Sequence, residues 1–280
     1  MRLLRYVHRL GLKSVYYFPP ASWRRTPSKP AEVLAELATR VATPFEWSAA
    51  VVRELGGAAE WVGHPVLDRY AGRPSEARAR GLLSVPLTAT PIAVLPGSRR
   101  QEIRYILPLL LSALALAEKR IPTILPLVSC GPQADRAALE AIVNRLSPRA
   151  IVTEDTIALL SASKAALTKS GTITLDAAIC GVPMVVTYAG SALDHLQYHL
   201  FAKGRLKYIA APNILLDREV VPERIAGMGT PEHLCEALLP LIEEGEPRRA
   251  QQAGLAEAVE LLGPPGASER VARMILDLAG

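Results

Sequence analysis

Between Pro91 and Tyr188 short apolar runs alternate with longer helix-period segments, and this alternation restricts the fold more than any other feature of the chain. Pro91–Leu95, Thr123–Val128, Ala150–Thr153, Ala165–Thr168 and Pro183–Tyr188 have strand character. Glu102–Lys119, Ala134–Leu146, Asp155–Ala162 and Thr172–Cys180 between them have helix character. A strand that is followed by a helix and then another strand builds a βαβ unit. A series of such units gives a parallel, doubly wound α/β sheet.

The flanks extend the pattern less regularly. Met1–Leu10 has helical spacing and is stopped at Gly11. Ser14–Phe18 has the β-branched and aromatic content of a strand, and a loop rich in proline follows it. Helices are expected around Ala31–Thr39 and Glu46–Leu55, and short strands at Arg40–Thr43 and Ala59–Val62. Ala71–Pro86, punctuated by Gly72, Pro74, Gly81 and Pro86, reads as a helical linker. It divides a partial first domain, residues 1–74, from a second domain, residues 75–280. The tail Pro231–Gly280 reads as helices broken at Gly245–Pro247 and Gly263–Pro265.

Composition limits the partners and the compartment. Aromatic residues are only 5% of the 280, so aliphatic side chains and alanine must build the cores. The net charge of +5 suits an anionic partner, a nucleotide or a phospholipid surface, and equally suits an ordinary solvated exterior. Cys130, Cys180 and Cys235 are odd in number, widely spaced and free of any CxxC. That argues against a disulfide framework or a zinc site and for a reducing compartment. Met1–Leu12 shows no apolar core of a leader peptide. The greasiest run, Ile106–Ala117, contains Pro108 and is too short to span a bilayer.

Three polar segments interrupt this pattern. Val94–Glu102 (VLPGSRRQE) ends a strand in a Pro-Gly turn and opens a helix. Ser98 is placed to cap that helix, Glu102 to complete a capping box, and Arg99 to offer a forked cation to phosphate. A capped helix with a solvated arginine is the bland alternative. Thr168–Asp176 (TKSGTITLD) again joins a strand to a helix. Gly171 allows close backbone approach, and Asp176, one turn beyond Thr172, is placed to accept ribose hydroxyls or simply to favour the helix dipole. Tyr208–Glu223 (YIAAPNILLDREVVPE) buries a Pro-Asn in an apolar run. Asn213 there can both donate and accept, toward a ligand or toward its own loop.

Other residues carry weaker signals. His195 and His199 have i,i+4 spacing without a third ligand in register, so a surface pair on a helix is favoured over a metal site and no metal is expected. The segment Leu193–Lys207 is polar and basic, with Asp194, His195, Tyr198, Phe201, Lys203, Arg205 and Lys207. His64, after a strand end and near an interdomain cleft, is read as supporting its loop. Phe18, Trp23, Arg24 and Arg25 offer an apolar, basic lip for a membrane, or a loop packed on itself.

Taken together in this order, LPGSRRQEI, SGTITLDAAICGVPMVV and YIAAPNILLDREVVPE resemble the signature segments of the lipid A disaccharide synthase family. YYFPPASW, TPFE and VGHPVLD ahead of them do so too, and the resemblance runs from about Met1 to Leu234. It implies a GT-B-type fold of two Rossmann-like doubly wound domains, the N-terminal one incomplete. It also implies a glycosyltransferase that joins UDP-2,3-diacylglucosamine to 2,3-diacylglucosamine 1-phosphate, releasing UDP. No cofactor, metal or nucleic acid is implied. The implied partners are a UDP-sugar donor, a glycolipid acceptor whose entrance the resemblance puts near Leu193–Lys207 and, peripherally, the cytoplasmic face of the inner membrane, with self-association left open. The substrate-binding residues it implies are Gly97, Ser98, Arg99, Glu102, Ser170, Gly171, Thr172, Asp176, Asn213, Arg218 and Glu219, with Arg99 and Asn213 supporting catalysis. Two departures stand out: Asp176 occupies a position where the family usually has Glu, and the family's glycine-rich and acidic front segments have no counterpart here. On that reading the chain keeps UDP binding and has little transferase activity. The alternatives are a non-catalytic UDP-sugar-binding fragment, a MurG-like transferase or a UDP-GlcNAc 2-epimerase; the Pro-Asn-Ile-Leu…Arg-Glu-Val-Val-Pro-Glu run speaks against the last two.

Overall fold

The computed structural model describes residues 1–20, 22–23, 25–188, 207–225 and 229–280. The chain forms two compact units, Met1–Ala71 with Val259–Gly280, and Gly72–Ala258.

In the first unit, β1 (Val15–Tyr17), β2 (Arg40–Thr43) and β3 (Ala59–Trp61) form a parallel sheet in the order β1-β2-β3. The connections are α2 (Lys29–Leu37) and α3 (Glu46–Glu54). Ser28 starts α2: its hydroxyl accepts the Ala31 N–H, and Pro30 occupies an early position where no backbone donor is needed. Leu34, Val41, Ala49, Val52 and Ala59 make the core, joined by Leu4 from α1 (Arg2–Arg9).

The second unit holds a six-stranded, wholly parallel sheet in the order β6-β5-β4-β7-β8-β9. Its strands are β4 (Thr90–Leu95), β5 (Ile124–Ser129), β6 (Ile151–Thr153), β7 (Ala165–Lys169), β8 (Met184–Tyr188) and β9 (Glu223–Ile225). Every residue of β5 and all but the first of β4 are buried, as strands covered on both faces require. The long helix α6 (Arg100–Glu118) lies against this sheet and against Pro231–Ile242. Ile103, Ile106, Leu107, Leu110 and Leu114 of α6 join Leu234, Cys235 and Leu238 in one core. The helices α7 (Arg136–Leu146) and α8 (Thr156–Ala162) start on Asp135 and Asp155, whose carboxylates accept the Ala138 and Ala158 N–H groups. From β4 the chain steps outward to β5 and β6, then returns to β4's other side as β7, β8 and β9. The winding direction therefore reverses between β4 and β7.

Two parts of the chain differ from the sequence reading. Tyr208–Glu223, read as a loop, contains a short helix, Ala211–Leu216, and leads into the edge strand β9. The helix was masked by Pro212, which is harmless in a first turn, and it ends at Asp217 in the left-handed conformation (φ 50°). The tail, assigned with residues 75–280, is divided. Pro231–Ile242 and most of Glu246–Glu260 belong to the second unit, and Ala267–Ala279 to the first. Its Val271 and Met274 pack with Ala42 and Val62, and the Asp68 carboxylate accepts the N–H groups of Gly266 and Ser268. A helix start gives four free N–H groups that such a carboxylate satisfies. That partner lies 200 residues away in sequence and leaves no local signal.

Candidate functional site

The carboxyl ends of β4 and β7 are neighbours, with Leu95 opposite Thr168. In an open parallel sheet the crevice at such a reversal of winding is where ligands bind. Both strands lead into loops that turn on glycines no other residue replaces easily. Gly97 has φ 100° and Gly171 φ 143°. A Cβ on Gly97 would lie 2.2 Å from Glu102 Oε2 and 2.8 Å from Lys169 Cδ.

The first loop is built around Glu102. Its Oε2 accepts the N–H groups of both Ser98 and Arg99, each at 3.0 Å. Its Oε1 accepts from Lys169 Nζ at 2.7 Å, and the Arg99 guanidinium lies 3.5 Å away. Burial pushes the Glu102 carboxyl up. The hydrogen bonds from Lys169 and Arg99 and the charges of both outweigh burial and hold it below the ordinary carboxylate value. The helix cap is Arg99, not Ser98 as expected, so the Ser98 side chain is not the capping group. Ser98 packs instead toward Gly131 at the end of β5, where a Cβ would come within 3.1 Å of its own. The Arg99 side chain is 83% exposed, while those of Lys169 and Glu102 are 17% and 14% exposed.

The second and third loops are joined to each other. The Ser170 hydroxyl donates to the Ile209 carbonyl at 2.7 Å, and its N–H to Thr187 at the end of β8. Thr174 Oγ1 donates to the Gly171 carbonyl and accepts the Ala211 N–H at 3.1 Å. Thr172 directly precedes α9 (Ile173–Ile179), which is buried along most of its length, and its side chain makes no capping bond to the helix. Asp176, 4% exposed, lies one turn on from Thr172. The thiol of Cys180, one further turn on, is pushed up to about 11 by burial, with a smaller contribution in the same direction from the Asp176 charge.

Among the expected site residues, Asn213 and Arg218 have other tasks, and Glu219 lies beside Arg218. Asn213 is fully buried and all four of its amide interactions are internal. Oδ1 accepts from Val220 N–H (2.7 Å) and Val221 N–H (2.9 Å), and Nδ2 donates to the Val221 carbonyl and to Glu223 (each 2.9 Å). No donor or acceptor is left for a substrate, so Asn213 shapes its loop. Glu223 completes that loop by accepting the Ile209 and Ala210 N–H groups. Arg218 and Glu219 precede the start of β9 and border, with Pro247, Ala250 and Gln251, a hollow beside the helix Glu246–Glu260. Arg218 is ion-paired to Glu257 on the helix Glu246–Glu260.

The sequence reading passed over Lys169 and Glu223. Lys169 had a signal, a cation on the last residue of the strand that feeds the glycine turn. Glu223 had none, because its partners, the Ile209 and Ala210 N–H groups and the Asn213 amide, lie ten or more residues away.

In the first unit His64 is 6% exposed. It lies edge-on to Phe18 (5.1 Å between ring centres) and beside Phe45, with Nδ1 accepting the Val66 N–H. Burial lowers its pKa from 6.5 to about 4. Its backbone N–H binds the Leu262 carbonyl, so His64 supports its loop. Phe45 stacks on Trp47 at 4.6 Å, and the Arg25 guanidinium covers the Trp47 ring. Arg24, His195, His199 and the segment 193–206 lie outside the described residues. Among the described residues no group of three or more His, Cys, Asp or Glu side chains converges on a metal-sized site, and no helix is long and apolar enough to cross a membrane.

Fold and site define a two-unit α/β protein of Rossmann type with a polar crevice at the switch point of its larger sheet. The model of the lipid-A-disaccharide synthetase family matches residues 1–274. The lipid-A-disaccharide synthase of Anaeromyxobacter sp. strain K is 34% identical over 278 residues, 99% of this chain and 72% of that relative. In fold, the chain is similar to S. aureus MnaA in its co-structure with UDP (TM-score 0.58, 14% identical, 99% of this chain and 80% of that one). It is similar also to the UDP-GlcNAc 2-epimerase of Neisseria meningitidis bound to UDP-GlcNAc (TM-score 0.57, 15% identical, 98% and 72%). The chain belongs to the lipid-A-disaccharide synthetase family, the glycosyltransferases of lipid A biosynthesis.

Proposed function

We propose that the chain binds UDP-2,3-diacylglucosamine at the β4–β7 switch point and transfers its sugar to the 6-hydroxyl of 2,3-diacylglucosamine 1-phosphate. The observation that carries this reading is the junction of the Gly97–Glu102 and Lys169–Asp176 loops at the carboxyl ends of adjacent parallel strands. Family membership supports the reaction, and structures of this fold that hold UDP or UDP-GlcNAc support the donor class. Transfer with inversion needs a base for the acceptor hydroxyl and stabilisation of the departing diphosphate. The switch-point loops serve the second need. Gly97, Ser98 and Arg99 line one side, Ser170, Gly171 and Thr172 the other, and Asp176 meets the ribose. Asn213 and Glu223 act behind them by fixing the 208–223 loop.

The test is calorimetry with UDP-2,3-diacylglucosamine, followed by mass spectrometry for the disaccharide once the acceptor is added. Saturable donor binding supports the reading, and a failure to bind either the donor or UDP refutes it. The reading extends to peripheral attachment at the inner membrane, supported by the exposed Leu3, Tyr6 and Leu10 beside Arg2, Arg5 and Arg9 on and just after α1. Co-sedimentation with anionic vesicles tests this extension, and a chain that stays in the supernatant contradicts it.

A further inference from the structure

We infer that Lys169, rather than Arg99, is the cation that reads the donor's diphosphate, and that Glu102 is only its resting partner. The inference rests on the UDP-donor reading above and assigns a residue within that site.

Lys169 ends β7 at the reversal of winding and reaches across to the β4 loop, placing its ammonium between the two loops. Both loop glycines clear its path. A Cβ on Gly97 would lie 2.8 Å from Lys169 Cδ, and one on Gly171 would lie 3.2 Å from Cε and 3.5 Å from Nζ. The lysine stem thus occupies a slot that exists because both loops turn on glycine. Arg99 reaches the same carboxylate oxygen from the solvent side, 3.5 Å from Glu102 Oε1, with a side chain 83% exposed against 17% for Lys169. An exposed guanidinium in water contributes far less to anion binding than a cation already stripped of most of its hydration.

The pair is built to exchange. Glu102 holds Lys169 through Oε1 alone, while Oε2 keeps the Ser98 and Arg99 N–H groups. Releasing the ammonium therefore leaves the carboxylate still anchored by two backbone donors. A flexible four-carbon stem with three donors on its head is suited to turning from one anion to another. The diphosphate offers a stronger anion than Glu102 at the same opening.

The double variant Lys169→Met/Glu102→Gln replaces an ion pair with a neutral pair and keeps an acceptor for the Ser98 and Arg99 N–H groups, so neither charge is left buried alone. UDP, inorganic pyrophosphate and uridine are titrated against wild type, the double variant and Lys169→Arg, with uridine followed by ligand-observed NMR. The expected result is a loss of UDP and pyrophosphate affinity of about tenfold to a hundredfold in the double variant, an unchanged uridine affinity, and partial recovery in Lys169→Arg. UDP binding at the wild-type level by the double variant would show that the pair is merely structural and overturn the inference. Equal losses for UDP and uridine would overturn it too, because the whole site would then have been reshaped. A wild-type chain that binds pyrophosphate in a Lys169-dependent way but not UDP would sink the donor reading and uphold the anion role of the lysine. A chain that binds neither would sink both.

Discussion

Replacing Asn213 with alanine separates a residue that builds the site from one that touches ligand. The truncation removes the acceptor of two buried N–H groups, Val220 and Val221, and the donor to the Val221 carbonyl and Glu223. Each buried polar group left without a partner costs about 1–3 kcal/mol. The two stranded N–H groups alone thus add to about 2–6 kcal/mol, a large share of the roughly 5–15 kcal/mol that holds a domain folded. The assay is urea denaturation followed by circular dichroism. Trp23, Trp47 and Trp61 all lie in the first unit, so tryptophan fluorescence would report the wrong transition. The transition of the second unit is expected to move to markedly lower urea. Asn213→Asp is expected to recover only part of the loss, because it keeps the acceptor but sets a second carboxylate against Glu223. The reasoning is refuted if Asn213→Ala unfolds within about 1 kcal/mol of wild type yet loses UDP, which is the pattern of a direct ligand contact.

Three further outcomes follow from the geometry. Gly97→Ala places a methyl group 2.2 Å from Glu102 Oε2 at φ 100°, so it is expected to weaken UDP binding at least about tenfold, and wild-type affinity would deny the close packing of that loop. Arg218→Ala breaks only an exposed ion pair with Glu257, and both stability and UDP affinity are expected to stay within about 0.5 kcal/mol of wild type; a large loss of affinity would return Arg218 to the site. His64 is held neutral by burial, with its pKa lowered from 6.5 to about 4, so its contribution to stability is complete above pH 6.5 and declines as the pH falls toward 4. Acid titration of the first unit, read by tryptophan fluorescence, is expected to lose about 2–3 kcal/mol across that window, and a His64→Gln chain that shows the same loss would assign it elsewhere.

The elements from Pro91 to Tyr188 were legible in the sequence because parallel strands and their crossover helices carry local periodicity, and all nine fall within a few residues of their expected bounds. The loops after β4 and β7 were legible for a related reason. Glycines and small polar residues at strand-to-helix junctions mark the places where backbone meets ligand or another loop. What the sequence hid depends on contacts between distant segments. The Asn213 amide and the Glu223 carboxylate are consumed by the 208–223 loop, and the segment after Leu262 returns to Gly63–Asp68. The periodicity of the tail helices marks their boundaries, but no local feature says which unit each one joins. The cap of α6 falls on Arg99, one residue beyond the expected cap Ser98, which is the resolution at which helix boundaries become ambiguous.

The account's central claim is that the crevice between the carboxyl ends of β4 and β7 receives the nucleotide of the donor. Amide chemical-shift mapping of the isotope-labelled chain during a UDP titration tests it most directly. The account predicts saturable shifts centred on Gly97–Glu102 and Lys169–Asp176, with little change at Arg218–Val220 beside the helix Glu246–Glu260. Saturable shifts centred on Arg218–Val220, or none in either switch-point loop at saturating UDP, would contradict it.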